Sequence, residues 1–315
     1  MRILVVGAGA IGGYFGGRLL EAGQDVTFLV RPRRAAELAS SGLVIRSRFG
    51  DVAISAPPTV VAEDLRQHFD VVLLSTKAYD LESAIASFAP AVGPQTAILP
   101  LLNGMRHLDV LSERFGKERV LGGQCLIAAT LNQNREIVHL NESHDLSFGE
   151  LNGSCTPRVE AIAMAMSRAR FQSRLSQSTL SEMWAKWVFI ATAAGITCLM
   201  RAAVGDIINA GGSDLGLSLS EECVDIARQE GFPLAPASLE RGRSMLTQPG
   251  STLTASMLRD IEQRSPIEAD QIVGDLLSRG QKHGLETPLL RVAYVHLKSY
   301  EARRAREAKP VGAAA

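Results

Sequence analysis

Gly7-Ala8-Gly9-Ala10-Ile11-Gly12 follows the apolar run Arg2–Val6 and precedes a helix-compatible segment from about Gly13 to Ala22. In that setting the glycines of a GxGxxG turn have separate uses. The first makes the tight turn, the second lets the backbone approach a pyrophosphate, and the third allows close helix–strand packing. The helix N-terminus then presents unpaired N–H groups to the phosphates. The chemistry is dinucleotide binding. Which dinucleotide depends on the residues at the end of the second strand, about 20 positions on. Leu29-Val30-Arg31-Pro32-Arg33-Arg34 has no carboxylate for a ribose 2′-hydroxyl, and its three guanidinium groups suit a 2′-phosphate. NADP is the expected cofactor, with Arg31 the principal contact and a solvated basic loop the competing reading.

Two more loops fall at the expected C-terminal ends of strands, where open α/β sheets bind ligands. Lys77, in Ser75-Thr76-Lys77-Ala78-Tyr79, would bring a cation to the phosphates or ribose, and Asn103, before Gly104, has an amide that both donates and accepts. A surface lysine and an Asn-Gly turn chosen for backbone freedom remain open for these two. Lys186 lies in Glu182-Met-Trp-Ala-Lys-Trp-Val-Phe-Ile, at the start of the most apolar helix pattern in the chain. Burying an ammonium costs free energy unless it is paired or used, and desolvation lowers its pKa toward values useful for proton transfer. Its alternative is an i,i+4 ion pair with Glu182. Glu268 reads first as N3 of a capping box, Ser265-Pro266-Ile267-Glu268, and Ser256 as a cap or an internal helix hydroxyl. The six histidines show no metal-ligand spacing, so no metal is expected; His139 and His144 flank an expected hairpin as exposed strand residues.

The elements that must carry these residues change character midway. Strand-like runs at 2–6, 26–30, 43–46, 52–55, 71–75, 97–102 and 120–129 alternate with helix-compatible stretches at 13–22, 35–40, 79–88 and 105–115. Continuous apolar runs suit a parallel sheet covered on both faces, so the N-terminal part is an α/β, Rossmann-type dinucleotide-binding domain. Residues 136–150 look like two closing antiparallel strands. Period-3.6 segments then take over at 157–170, 180–202, 214–231, 236–248, 254–263, 266–283 and 287–306. The boundary is placed in the polar stretch 172–178, giving a cofactor domain over 1–175, an all-helical substrate domain over 176–309 and a disordered tail at 310–315.

Composition narrows the classes. With 33 Lys plus Arg against 33 Asp plus Glu, the chain has no net field to draw in nucleic acid. The uncharged apolar stretch 187–200 falls short of the roughly 18 residues of a membrane span. No leader fits ahead of the first strand. A cytoplasmic location is expected. Four scattered cysteines suggest neither a disulfide framework nor a zinc site. Only six of the basic residues are lysines, which gives Lys77 and Lys186 added weight.

Taken in order, Gly7 to Gly12, Arg31, Thr76-Lys77-Ala78, Asn103-Gly104-Met105, Trp184-Ala185-Lys186-Trp187, Ser256 to Asp260 and Glu268-Ala269-Asp270 resemble the ketopantoate reductase (2-dehydropantoate 2-reductase) family over nearly the full length. The resemblance implies NADPH-dependent reduction of a 2-keto acid, 2-dehydropantoate to pantoate in pantothenate biosynthesis. It also implies a C-terminal domain of the 6-phosphogluconate dehydrogenase-like type and a site in an interdomain cleft, and it is compatible with a homodimer. By the same likeness Lys186 is the general acid and Glu268 orients it and binds substrate. Asn103 and Ser256 position substrate, with Asn103 also on the cofactor, and Arg31 and Lys77 contact the NADP phosphates. The chain departs from the family where asparagines follow the catalytic lysine four and eight residues later: here stand Ile190 and Ala194. Other readings are a reductase of the same superfamily acting on a different 2-keto acid, and a non-catalytic NADP-binding regulator.

Overall fold

The computed structural model describes residues 1–308, so the tail expected at 310–315 lies outside the described residues. The chain divides into two units, one formed by Met1–Leu102 and His107–Leu180, the other by Asn103–Arg106 and the residues from Ser181 onward.

The first unit contains β1 (Arg2–Val6), α1 (Ala10–Glu21), β2 (Asp25–Leu29), α2 (Pro32–Ser41), β3 (Leu43–Arg46), β4 (Val52–Ile54), β5 (Thr59–Val60), β6 (Phe69–Leu74), α3 (Leu81–Phe88) and β7 (Val92–Pro100). It continues with α4 (Arg106–Phe115), β8 (Leu121–Leu131), β9 (Ile137–Glu150), α5 (Pro157–Met166) and β10 (Gln172–Leu175). A parallel sheet runs in the order β5-β2-β1-β6-β7. Chain order reverses at β1, so the crevice between the C-terminal ends of β1 and β6 is the switch point where such sheets take ligands. A second sheet, β10-β9-β3-β4 with β8 along β9, closes the other side of α1. Helix α1 fits between them because its glycines carry no side chain there: a Cβ at Gly16 would meet the Phe28 ring at 2.6 Å, and one at Gly17 would meet Ile45 and Leu43 at 2.8 Å. Tyr14, Phe15 and Leu19 fill the remaining space and are wholly buried.

Two expectations change here. Residues 137–150 form one long strand rather than two. Its register against β8 slips between Ile127 and Ala129, the residues around Leu140–Ser143 are absorbed as a bulge, and the His139 ring bonds the Ser143 carbonyl across it at 2.9 Å. The polar stretch 172–178, read as free of regular structure, contains β10, whose Gln172 to Leu175 pair in parallel with Asp145 to Phe148. Its side chains alternate between exposed and half-buried, so backbone pairing at a sheet edge, rather than apolarity, makes it a strand.

The second unit is helical: α6 (Thr179–Met200), α7 (Val204–Asn209), α8 (Ser213–Gln229), α9 (Pro236–Leu246), α10 (Ser256–Glu262), a π-helical turn (Asp270–Gly274) running into α11 (Asp275–Lys282), and α12 (Pro288–Glu307). The unit boundary cuts the first turn of α6. With Glu182 and Lys186 included, α6 reaches 22 residues and would pass a length-and-composition test for a membrane span. Of its most apolar window 67% is buried within the protein, however, and Trp184 and Trp187 are 1% exposed, which makes it the core helix of its unit. Arg279 lies over both indoles, 5.8 and 5.7 Å from their centroids, while its charge is met by Glu230 and Asp275.

Candidate active site

The first unit carries a candidate phosphate cradle. Gly7 takes φ +94°, a conformation suited to glycine, and its N–H donates to Leu29 O at 3.0 Å. A Cβ at Gly12 would lie 2.1 Å from Ser75 Oγ and 2.2 Å from Gly7 O, so only glycine lets α1 start this close to the turn. A Cβ at Gly9 would meet nothing within 4 Å. The protein itself therefore does not require glycine at position 9; a ligand lying against the backbone would. Gly9 is the N-cap of α1 and offers no side-chain cap, and there is no acidic residue in the first turn. Ala10 and Ile11 open the helix half-buried, while Ala8 is buried. Beside the turn, Thr76 Oγ1 is buried without a hydrogen-bond partner, its methyl 3.7 Å from where a Gly7 Cβ would be. An orphaned donor, an uncapped helix start and an open glycine fit the phosphates of a dinucleotide.

The three arginines after β2 separate into different roles. Arg31 is the N-cap of α2, its side chain is 73% exposed, and it pairs with Asp80 at 2.7 Å. Asp80 ends the short turn that follows Lys77, which itself is exposed. Arg34 is buried and donates to the Ala8 carbonyl at 3.3 Å, so it supports the glycine turn from behind. Arg33 points to solvent and pairs with Glu37. By sequence, Ser75 and Thr76 are only neighbours of Lys77 and Arg34 is one of the donors to a 2′-phosphate, whereas here Arg34 bonds the back of the glycine turn. Ser75 Oγ donates to Val6 O at 3.0 Å, tying the β6 loop to the β1 loop.

The second unit holds the other candidates. Lys186 is half-buried on α6, whose Trp184 and Trp187, on either side of it in sequence, are buried. The Trp187 indole N–H donates to the Ile272 carbonyl at 2.9 Å, fastening the helix of Lys186 to the turn that follows Glu268. Gln271 Nε2, in the same turn, donates to Asn103 O at 2.9 Å. Ser256 is the first residue of α10 and exposed, next to Ala255, whose N–H donates to Thr197 Oγ1 of α6 at 3.3 Å. Ile190 is half-buried and Ala194 is 2% exposed.

Glu268 does not occupy the capping-box position. The helical hydrogen bonds start with Ile272 N–H donating to Glu268 O at 3.0 Å, so Glu268 precedes the helix instead of being its third residue. The cause is tertiary. Tyr300 Oη of α12 donates to Ser265 O at 2.8 Å and Ser265 N–H donates to Asp260 O at 2.8 Å, holding residues 265–268 out of helical conformation.

His139 and His144 are buried, at 8% and 7% exposure, not exposed strand residues. The Tyr14 hydroxyl and His144 Nδ1 share a hydrogen bond of 2.8 Å, and Phe49 stacks on His144 at 3.9 Å. Burial, then the charges of His139 and Arg18, hold the His144 pKa below the ordinary imidazole value. Burial likewise pushes the Cys198 and Cys223 thiols up to about 12. Among the described residues no cluster of His, Cys, Asp and Glu is arranged to hold a metal ion.

Comparison with known proteins places this geometry in a lineage. The family model "Ketopantoate reductase PanE/ApbA" matches residues 3–153, and its C-terminal counterpart matches residues 178–301. An uncharacterized oxidoreductase, YkpB, of Bacillus subtilis (strain 168) is 39% identical over 305 residues, covering 96% of this chain and 100% of its own. The crystal structure of 2-dehydropantoate 2-reductase from Methylococcus capsulatus superposes with a TM-score of 0.87 at 25% identity, covering 99% of both chains. D-mandelate dehydrogenase, solved with NADH and anilino(oxo)acetate, shares the fold, with a TM-score of 0.86 at 21% identity, covering 97% of this chain and 100% of its own.

Proposed function

The chain belongs to the ketopantoate reductase family of oxidoreductases, and from that membership we propose that it reduces a 2-keto acid to the 2-hydroxy acid with NADPH, 2-dehydropantoate to pantoate being the leading reaction. The setting is pantothenate biosynthesis in the cytoplasm. The observation that carries the reading is Lys186, half-buried on the helix that also holds the fully buried Trp184 and Trp187 and that is fastened to the turn after Glu268. The cradle around Gly9 and Thr76 gives the cofactor side, with Gly7, Ala8, Ala10, Ile11 and Gly12 forming the turn, Arg31 meeting the 2′-phosphate, and Lys77 and Asn103 meeting phosphate and ribose. Bound there, NADPH supplies the hydride.

The rest of the chemistry falls to side chains. Negative charge develops on the ketone oxygen, and Lys186 Nζ stabilises it and delivers the proton that neutralises it. Glu268 orients the ammonium and binds substrate, and Asn103 and Ser256 hold the keto acid in place. Keeping Lys186 and Glu268 argues against a non-catalytic regulator.

A second reading, a less polar or larger 2-keto acid, is favoured by Ile190 and Ala194. Four residues after Lys186, half-buried Ile190 puts an aliphatic side chain where an amide would bind a polar ligand, and Ala194, eight after, is buried and brings no amide either. NADPH oxidation with a panel of 2-keto acids decides. Turnover of 2-dehydropantoate above all others supports the first reading, turnover only of bulkier or less polar acids supports the second, and none at all refutes the enzyme. Lys186→Ala should lower kcat by about 100-fold or more while NADPH affinity changes little, the usual loss for a general acid. Unchanged kcat removes Lys186 from the mechanism.

A further inference from the structure

We propose that Gln271 is a positioning residue of the site, acting through Asn103, and that the π-helical turn containing it sets where the Asn103 loop stands. The proposal rests on the role given to Asn103 above.

Three consecutive residues of this one turn each fasten a different element of the unit. Asp270 accepts from Tyr294 Oη at 2.7 Å and from Lys298 Nζ at 3.0 Å, both on α12. Gln271 donates its side-chain amide to the Asn103 carbonyl at 2.9 Å. The Ile272 carbonyl accepts the Trp187 indole N–H at 2.9 Å. A π turn shifts the backbone hydrogen bonds of a helix by one residue, so a carbonyl within it becomes available to an outside donor, and such turns concentrate at functional sites. Here the outside donor stands next to Lys186 in sequence.

Gln271 is 6% exposed, so its amide is committed to partners inside the protein. The fit to the loop is close in two places. Besides the side-chain bond, the backbone of Gly104 lies so near that a Cβ would be 2.8 Å from Gln271 O, and Gly104 takes φ +81°, the left-handed conformation glycine favours. Main chain and side chain of one residue thus seat the Asn-Gly turn, and that seating aims the Asn103 side chain.

A glutamine that only stabilised the fold would weaken every variant alike. One acting through Asn103 has no effect on function once the Asn103 side chain is gone, because the bond it makes is to the Asn103 backbone. The test is a double-mutant cycle of Gln271→Leu and Asn103→Ala, read in the NADPH dissociation constant, measured by titration without keto acid, and in kcat/KM. Gln271→Leu alone should weaken both by about tenfold, equivalent to one good hydrogen bond's worth of affinity, and by less than about twofold in the Asn103→Ala background. Equal losses in both backgrounds, or an Asn103→Ala protein with wild-type constants, overturn the proposal. Gln271→Glu supplies an independent arm: its carboxylate cannot donate to a carbonyl, but its protonated form can. NADPH affinity of this variant, relative to wild type, should recover as the pH falls toward 5, and a flat ratio refutes the assignment. A wild-type protein that binds NADPH but reduces no keto acid overturns the proposed reaction while leaving the cycle legible in the dissociation constants.

Discussion

Gly9 and Gly12 belong to one motif, yet their surroundings predict opposite responses to the same added methyl group. At Gly12 the new Cβ would be 2.1 Å from Ser75 Oγ and 2.2 Å from Gly7 O. The serine could rotate only by giving up its bond to Val6 O, and the carbonyl belongs to a backbone fixed by its own strand. Helix α1 would have to retreat by about 1 Å, against a face where Tyr14, Phe15 and Leu19 are wholly buried. Overpacking of about 1–3 kcal/mol and roughly 1 kcal/mol for the serine bond sum to about 3 kcal/mol. For a unit of this size that lowers Tm by about 6–12 °C.

At Gly9 the methyl meets nothing within 4 Å. Alanine is a poorer N-cap than glycine, but it also restricts the unfolded chain, and the two effects leave stability within about 0.5 kcal/mol. The methyl instead occupies the space where a phosphate would meet the backbone. Gly9→Ala should therefore keep its Tm within about 2 °C and raise the NADPH dissociation constant by about tenfold or more, a change of at least 1.4 kcal/mol. Thermal melts without cofactor, paired with NADPH titrations, separate the two. A Gly9→Ala protein with wild-type affinity refutes the phosphate cradle, and a Gly12→Ala protein with wild-type Tm refutes the packing argument.

Replacing Arg31 with Ala removes an exposed pair with Asp80 worth at most about 1 kcal/mol, so Tm should hardly move, while NADPH affinity falls about tenfold or more and NADH affinity stays nearly constant. Equal weakening of both cofactors removes the 2′-phosphate role. His144 gives a pH dependence. Because its folded-state pKa is depressed, first by burial and then by His139 and Arg18, the unfolded chain binds more protons below about pH 6.5. Its contribution is intact above that pH and is lost as the pH drops. The Tm of His144→Phe should therefore fall less than that of wild type between pH 7 and 5, and parallel profiles refute the assignment.

The features legible in the sequence are those whose determinants are local. A GxGxxG turn between an apolar run and a helix states its own backbone needs, and the strand runs Ile3–Val6 and Val71–Leu74 state theirs, because parallel strands covered on both faces are apolar throughout. Helix α2, by contrast, starts at Pro32, earlier than the apolar pattern suggests. What the sequence concealed depends on remote partners. Gln172 to Leu175 carry no strand periodicity worth noting, and become a strand because the edge of β9 has donors and acceptors to satisfy. Nor do His139 and His144 announce burial; they acquire it from Tyr14, 130 residues before His144, and from Phe49.

Glu268 shows how this affects a reading of function. The local capping-box pattern and the catalytic role lay claim to the same carboxylate, since a capping glutamate turns back to the N-cap N–H. In the folded chain the Ser265 N–H donates instead to Asp260 O, and the helix opens only after Glu268. The capping box centred on Ser265 is thereby removed. Glu268 is a half-buried carboxylate just ahead of a π turn, one turn from the carbonyl that Trp187 holds, and orienting Lys186 is the use that the proposed reduction gives it. A Glu268→Gln variant separates the two roles. A cap loses little when its oxygen acceptor is kept, so under the capping account both Tm and kcat would be nearly preserved. Under the orienting account Tm is preserved and kcat falls, because a neutral amide no longer holds the ammonium by charge.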